Sequence, residues 1–188
     1  ERYLQRPGAL RRLAGAWLKS KLANRSLMPK DLWSPKGIIT FGVDSVACEQ
    51  EIERLWGRLP YQVYGTTELL IGAMQAWNKR GLTFLPDMAF WEFIPQSEWA
   101  GLRSDPAYQP KTVLLDELKA GQQYELVYTH FFGMPLLRYR IGDVFTVQSL
   151  EDPETGVRLP QLIFQRRASD IIAPSVSSSA SSSVAACW

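Results

Sequence analysis

Tyr61-Gln62-Val63-Tyr64-Gly65-Thr66-Thr67-Glu68 is the stretch on which the reading of this chain turns. Its first four residues are strand-like, Gly65 interrupts them, and an apolar run over roughly 68–79 is expected to be a helix. A glycine at such a junction lets the backbone turn tightly. The hydroxyls of Thr66 and Thr67, with neighbouring amides, can then donate to phosphate oxygens at a helix start. Tyr64, at the strand end, could stack on a flat base. Glu68 could hold Mg²⁺, which takes oxygen ligands and shares them with phosphates. A plain capped turn, with threonine as N-cap and glutamate in the first turn, fits the same five residues.

Upstream, Gly37-Ile38-Ile39-Thr40-Phe41-Gly42 reads as a short buried strand bounded by glycines. Asp44 or Ser45 is placed to cap a helix running to Leu55-Trp56, and Pro60 closes that region. Strand, helix, strand, loop and helix in succession are the alternation of an α/β layer. Residues 9–23 read as an amphipathic helix, with Leu10, Leu13, Ala14, Trp17 and Leu18 at helical spacing and Arg11, Arg12 and Lys19 off that stripe. Its basic face suits a membrane surface or nucleic acid, and equally an ordinary solvated helix.

Downstream the character changes to antiparallel β, with a small barrel expected. Strands are expected at Ala89–Pro95, Tyr124–Thr129, Leu137–Ile141 and Val144–Val147, with a turn at Ala120-Gly121. The last two flank Gly142-Asp143 within Arg138-Tyr139-Arg140-Ile141-Gly142-Asp143-Val144. An aspartate at such a break can accept ribose hydroxyls, as acidic residues do in other nucleotide sites, although Gly-Asp is also a common hairpin corner. Arg166 and Arg167 can neutralise a phosphate or stand as surface arginines. Seven of the nine residues Ser175–Ser183 are serine, so the tail reads as linker or disorder. The expected division is therefore a basic helical segment over 1–28, an α/β portion over 29–84, a mainly β portion over 85–170 and the serine-rich tail over 171–188.

Composition narrows the classes further. The 188 residues are 46% hydrophobic and 21% charged, enough apolar side chain for a sizeable core. The net charge of +2 hides nine Lys or Arg against two acids in residues 1–36, but no nucleic-acid partner is expected from that segment alone. Two cysteines, Cys48 and Cys187, are too few for a disulfide scaffold, and a cytoplasmic, reducing setting is expected. No run approaches the roughly 20 apolar residues of a membrane span. Neither G-x-G-x-x-G, nor a P-loop, nor G-x-S-x-G is present, and His130 is the single histidine. Beside Phe131 and Phe132 it reads as a packed histidine rather than a general base.

The order and spacing of these pieces carry a resemblance. Tyr64–Glu68 matches the Y-G-x-T-E motif of the adenylate-forming enzymes, and Arg138–Asp143 resembles their Y-R-x-G-D motif. Arg167-Ala168-Ser169-Asp170 is similar to the G-R-x-D-D hinge that ends their large domain, with Arg166 in place of the glycine and Ser169 in place of the first aspartate. Leu85-Pro86-Asp87, Phe90-Trp91-Glu92-Phe93-Ile94-Pro95 and Tyr124-Glu125-Leu126-Val127 look like the auxin-responsive acyl-acid amido synthetase branch.

The resemblance implies part of a large N-terminal domain, an α/β layer followed by a small β-barrel-like region. It also implies activation of a small carboxylic acid by ATP as an acyl-adenylate, followed by amide formation with an amino acid. Acyl-CoA formation with coenzyme A is the alternative acceptor chemistry, and a non-catalytic truncated relic is the alternative outcome. Carried over by position, Tyr64 contacts adenine, and Gly65, Thr66 and Thr67 line the phosphate side. Glu68 serves Mg²⁺, Asp143 takes the ribose hydroxyls, and Arg167 approaches the ribose or phosphate. The family's phosphate loop and catalytic lysine have no counterpart in this sequence, which opens on Glu1; the expectation is an incomplete and inactive fragment with no assignable catalytic residue.

Overall fold

The computed structural model describes residues 7–42, 48–105 and 107–167. They fall into two compact units, one from Glu1–Thr40 with Asp44–Tyr61, the other from Phe41–Val43 with Gln62–Trp188. The expected cap at Asp44 or Ser45, the hinge segment after Arg167 and the serine-rich tail lie outside the described residues.

In the first unit, α1 spans Pro7–Leu22, close to the expected helix. Its buried positions are Ala16 and Ser20, one turn apart, and not the apolar stripe: Leu10, Trp17 and Leu18 are each more than half exposed. Small side chains at i and i+4 allow close approach on that face, which decides what the helix buries. The short α2, Pro29–Leu32, packs on α1. It is tied to the connector by a fork in which Arg25 Nη1 and Nη2 donate to Asp31 Oδ2 and Oδ1 at 2.7 and 2.6 Å. The Arg25 guanidinium and the Met28 amide hold the Asp31 carboxyl well below the usual carboxylate range. Helix α3, Glu49–Trp56, ends at Gly57, whose φ of +70° is the left-handed cap that glycine provides. Trp56 lies 6.2 Å from Trp33, ring to ring. Strand β1, Ile39–Phe41, forms where a buried strand was expected but is exposed at Ile39 and Phe41, and beside it the Tyr61 amide donates to Ile38 O at 2.7 Å.

The second unit is built on antiparallel sheet. Its strands are β2 (Tyr61–Tyr64), β3 (Ala73–Gln75), β4 (Leu82–Phe84), β5 (Phe90–Pro95), β6 (Gln123–His130), β7 (Leu136–Ser149) and β8 (Gln161–Arg167). They lie in the order β2-β3-β4-β8-β7-β6-β5, so the last strand is inserted between β4 and β7 and joins the early hairpins to the late ones. The core between them is aromatic. Phe84 packs edge-on against Trp91, Phe93 and Phe145 at 4.9–5.5 Å, distances at which such pairs add to plain burial.

Two expectations are corrected here. The helix expected over 68–79 is a turn followed by β3, in which Ala73 and Gln75 are buried and Met74 faces out. Leu69-Leu70-Ile71 is too short an apolar run to fix its own period, and Gly72 decides the matter. A Cβ at Gly72 would meet Leu69 Cδ2 at 2.7 Å, because the chain doubles back and the Gly72 amide donates to Tyr64 O at 2.9 Å. The break expected at Gly142-Asp143 is likewise no corner. Strand β7 runs unbroken for 14 residues, and between Glu125↔Val144 and Val127↔Arg140 its register slips as a bulge around Gly142, φ +82°.

Candidate functional site at the Gly65 turn and the Asp143 bulge

Residues 65–72 form a tight turn off the end of β2. A Cβ on Gly65 would stand 1.7 Å from Leu70 O, so no other residue fits there. Thr66 closes the turn: its hydroxyl accepts from the Leu69 amide at 3.1 Å, and its carbonyl accepts from the Leu70 amide at 2.8 Å. The capped-turn reading therefore describes the backbone correctly, although no helix follows. Thr67 is exposed, and its hydroxyl donates to Glu68 Oε2 at 3.0 Å. The Glu68 main-chain amide, then the hydroxyls of Thr66 and Thr67, with Arg167 adding its charge, hold the Glu68 carboxyl below the usual range. The turn thus presents an ionised carboxylate beside a hydroxyl.

Asp143 is reached from the other end of the sequence. The bulge in β7 aims its side chain inward, where it is 2% exposed. Both carboxylate oxygens are occupied. Tyr64 Oη donates to Oδ2 at 2.8 Å, and Arg167 Nε donates to Oδ1 at 3.1 Å from the facing position on β8. A buried carboxylate needs such donors, since an unpaired one would forfeit several kcal/mol. Tyr64, Thr66, Glu68, Asp143 and Arg167 are therefore brought into one neighbourhood from positions 64–68, 143 and 167. Arg166 is exposed, one residue removed from the Asp143 pair.

The ring of Tyr64 does not stand at a surface where a base could lie on it. It packs 5.0 Å from Phe145, 5.9 Å from Phe84 and 6.5 Å from Phe164, inside the aromatic core. Burial first, and the Asp143 charge second, push its phenol far above the ordinary tyrosine range. What Tyr64 offers the site is its hydroxyl. Tyr128 joins on the other side, its hydroxyl 3.4 Å from Thr66 Oγ1, a contact that no sequence motif announces. Arg138 and Arg140 serve other partners. Arg138 pairs with Glu92 at 3.1 Å, and Arg140 makes a two-pronged bridge to Glu125 at 2.9 Å. Arg140 reaches a diagonal neighbour on β6, whereas Arg138 reaches past β6 to β5, so neither pair follows from strand alternation alone. His130 is buried as expected: its Nδ1 accepts from the Phe132 amide at 3.2 Å and its ring stacks on Tyr128.

Known proteins similar to this chain point to one class of fold, and one family model matches part of its length. In the solved structures, an acyl acid amido synthetase, GH3.15, superposes with a TM-score of 0.51 and 25% identity over 74% of this chain and 23% of its own. The fold is thus that of part of an adenylate-forming enzyme. Residues 82–167 match the GH3 family central domain. Among curated relatives, indole-3-acetic acid-amido synthetase GH3.6 of Arabidopsis thaliana is 37% identical over 78 residues, 37% of this chain and 12% of its own length. Probable indole-3-acetic acid-amido synthetase GH3.11 of Oryza sativa subsp. japonica is 40% identical over 94 residues, 48% of this chain and 14% of its own length. The chain spans about one seventh of such relatives or less.

Proposed function

We propose that this chain carries the nucleotide-holding part of an ATP-dependent acyl-acid amido synthetase, which activates a carboxylic acid as its acyl-adenylate and passes the acyl group to an amino acid. The supporting observation is the meeting of Asp143 with the Gly65–Glu68 turn, bridged by Tyr64 and Arg167. In this reading Asp143 accepts the ribose hydroxyls. Gly65, Thr66 and Thr67 border the phosphates, and Arg167 turns its charge toward them. A carboxylate attacking an α-phosphate brings two anions together, so fixed donors and cations must lower most of that barrier. A gripped ribose supplies the remaining requirement, a phosphorus held in line with the attacking oxygen.

Mg²⁺ fits this arrangement through Glu68. Among the described residues no group of three or more His, Cys, Asp or Glu is gathered to cage a metal. One ionised carboxylate beside a phosphate-facing turn is the donor set of a Mg²⁺ whose other ligands are phosphate oxygens and water. When bound, the ion would screen the triphosphate charge. A cytoplasmic setting, with ATP and Mg²⁺ at hand, suits this chemistry. No described helix is long and apolar enough to cross a membrane.

Division of labour is part of the proposal: these 188 residues serve nucleotide binding, and turnover draws on a phosphate loop and a lysine that are not among them. Equilibrium dialysis with labelled ATP and Mg²⁺ is expected to show binding that Asp143→Ala removes. Acid-dependent pyrophosphate exchange by the chain alone is expected to be nil. Absence of ATP binding would overturn the nucleotide reading, and exchange by the chain alone would overturn the division.

A further inference from the structure

Tyr64 occupies a place that a phenylalanine would fill. Every ring around it is apolar, and it is 8% exposed. A hydroxyl in such surroundings is unfavourable unless partnered, and among the described residues its hydrogen-bond partner is Asp143, 79 positions along the chain. The two donors on that carboxylate differ in kind. The Tyr64 hydroxyl cannot leave Oδ2 without opening the aromatic core around its ring. The Arg167 side chain, 54% exposed at the end of β8, can leave Oδ1 by rotating into solvent. One oxygen is permanently tied and the other is reversibly capped.

We propose that Tyr64 is a positioning residue: its hydroxyl fixes Asp143 through Oδ2 so that Oδ1 is the oxygen presented to a ribose hydroxyl once Arg167 swings away. This rests on the nucleotide reading above and assigns Tyr64 a task through Asp143 in place of a stacking task on the base. Arg167 accordingly competes with a nucleoside for Oδ1, and a phosphorylated nucleotide compensates by offering that arginine a new anion.

Adenosine and 2′,3′-dideoxyadenosine, titrated calorimetrically into the 188-residue chain and its variants, separate these roles because neither carries a phosphate. Tyr64→Phe keeps the packed ring and removes one hydrogen bond. It is expected to weaken adenosine about fivefold to tenfold, leaving dideoxyadenosine unchanged, so that the preference between the two nucleosides shrinks. Arg167→Gln, on an exposed side chain, is expected to strengthen adenosine and again leave dideoxyadenosine unchanged. Equal weakening of both nucleosides by Tyr64→Phe, or no change in either, would overturn the positioning role. Adenosine affinity unchanged or reduced in Arg167→Gln would overturn the assignment of Oδ1, and that arm stands even if Tyr64→Phe fails to fold. Failure of both nucleosides to bind the parent chain and Arg167→Gln alike would instead overturn the nucleotide reading itself.

Discussion

The two units of this chain solve burial in different ways. The second closes Phe84, Phe93, Tyr124, Leu126, Tyr128 and Phe145 away from water almost completely. Among its described residues, the first buries only Ala16, Ser20 and Pro60, while Trp17, Leu18, Leu22 and Trp33 remain exposed. The first is held instead by local devices: the Arg25–Asp31 fork, the Glu51–Arg54 pair and the glycine cap of α3. Exposed ion pairs are screened by solvent and individually weak, whereas a buried phenylalanine contributes several kcal/mol. The candidate site sits in the better buried of the two. Asp143 can be kept as a buried carboxylate because the aromatic core around Tyr64 holds its partner still.

That contrast can be broken at several strengths. Phe145→Ala opens the core beneath Tyr64 and is expected to cost about 3–5 kcal/mol, read as a lowered denaturation midpoint for residues 62–167. Asp143→Ala strands the Tyr64 hydroxyl in that core and is expected to cost about 1–3 kcal/mol in the same measurement, together with ATP binding. A loss no larger than that of a surface substitution would show that the hydroxyl is not sealed in.

The pH responses of the two units should be opposite in direction. The phenols of Tyr64 and Tyr128 are raised in the folded chain, so their contribution is complete below the ordinary tyrosine value of about 10 and is lost as pH climbs above it. Denaturation midpoints are expected to fall in alkali, and Tyr64→Phe is expected to remove part of that fall. In the first unit the Asp31 carboxyl is lowered, so its contribution is present above the ordinary value of about 4 and is lost as pH drops below it. Protection of the amides at residues 25–32, measured relative to their intrinsic exchange at each pH, should therefore fall in acid. The smallest effect is expected from Leu18→Gln on the exposed face of α1, within about 0.5 kcal/mol. A larger loss would mean that this face is covered.

Legibility in the sequence follows the same line. Strands β5 and β6 fall within a residue of their expected bounds, because aromatic and β-branched residues there are dense enough to fix a strand period. The turn at Gly121, with φ +79°, was legible for the same local reason. What depended on distant partners was not. Leu69–Ile71 looked helical until Gly72 met Leu69 and Trp91. Gly142-Asp143 looked like a corner because a bulge exists only relative to the facing strand. Tyr64 was expected to meet a base with its ring, and the partner of its hydroxyl was not legible because that carboxylate lies 79 residues away. Motif order pointed to residues that the fold brings together; the register of β7 against β8 says which of their atoms pair.

The most direct test of the adenosine-binding claim is an ATP titration of the isotopically labelled chain, followed by amide chemical shifts. Gly65, Thr66, Glu68, Asp143 and Arg167 are expected to shift together with one dissociation constant while the α1 amides stay still. Shifts confined to α1, or a turn and bulge that respond with separate constants, would contradict that claim.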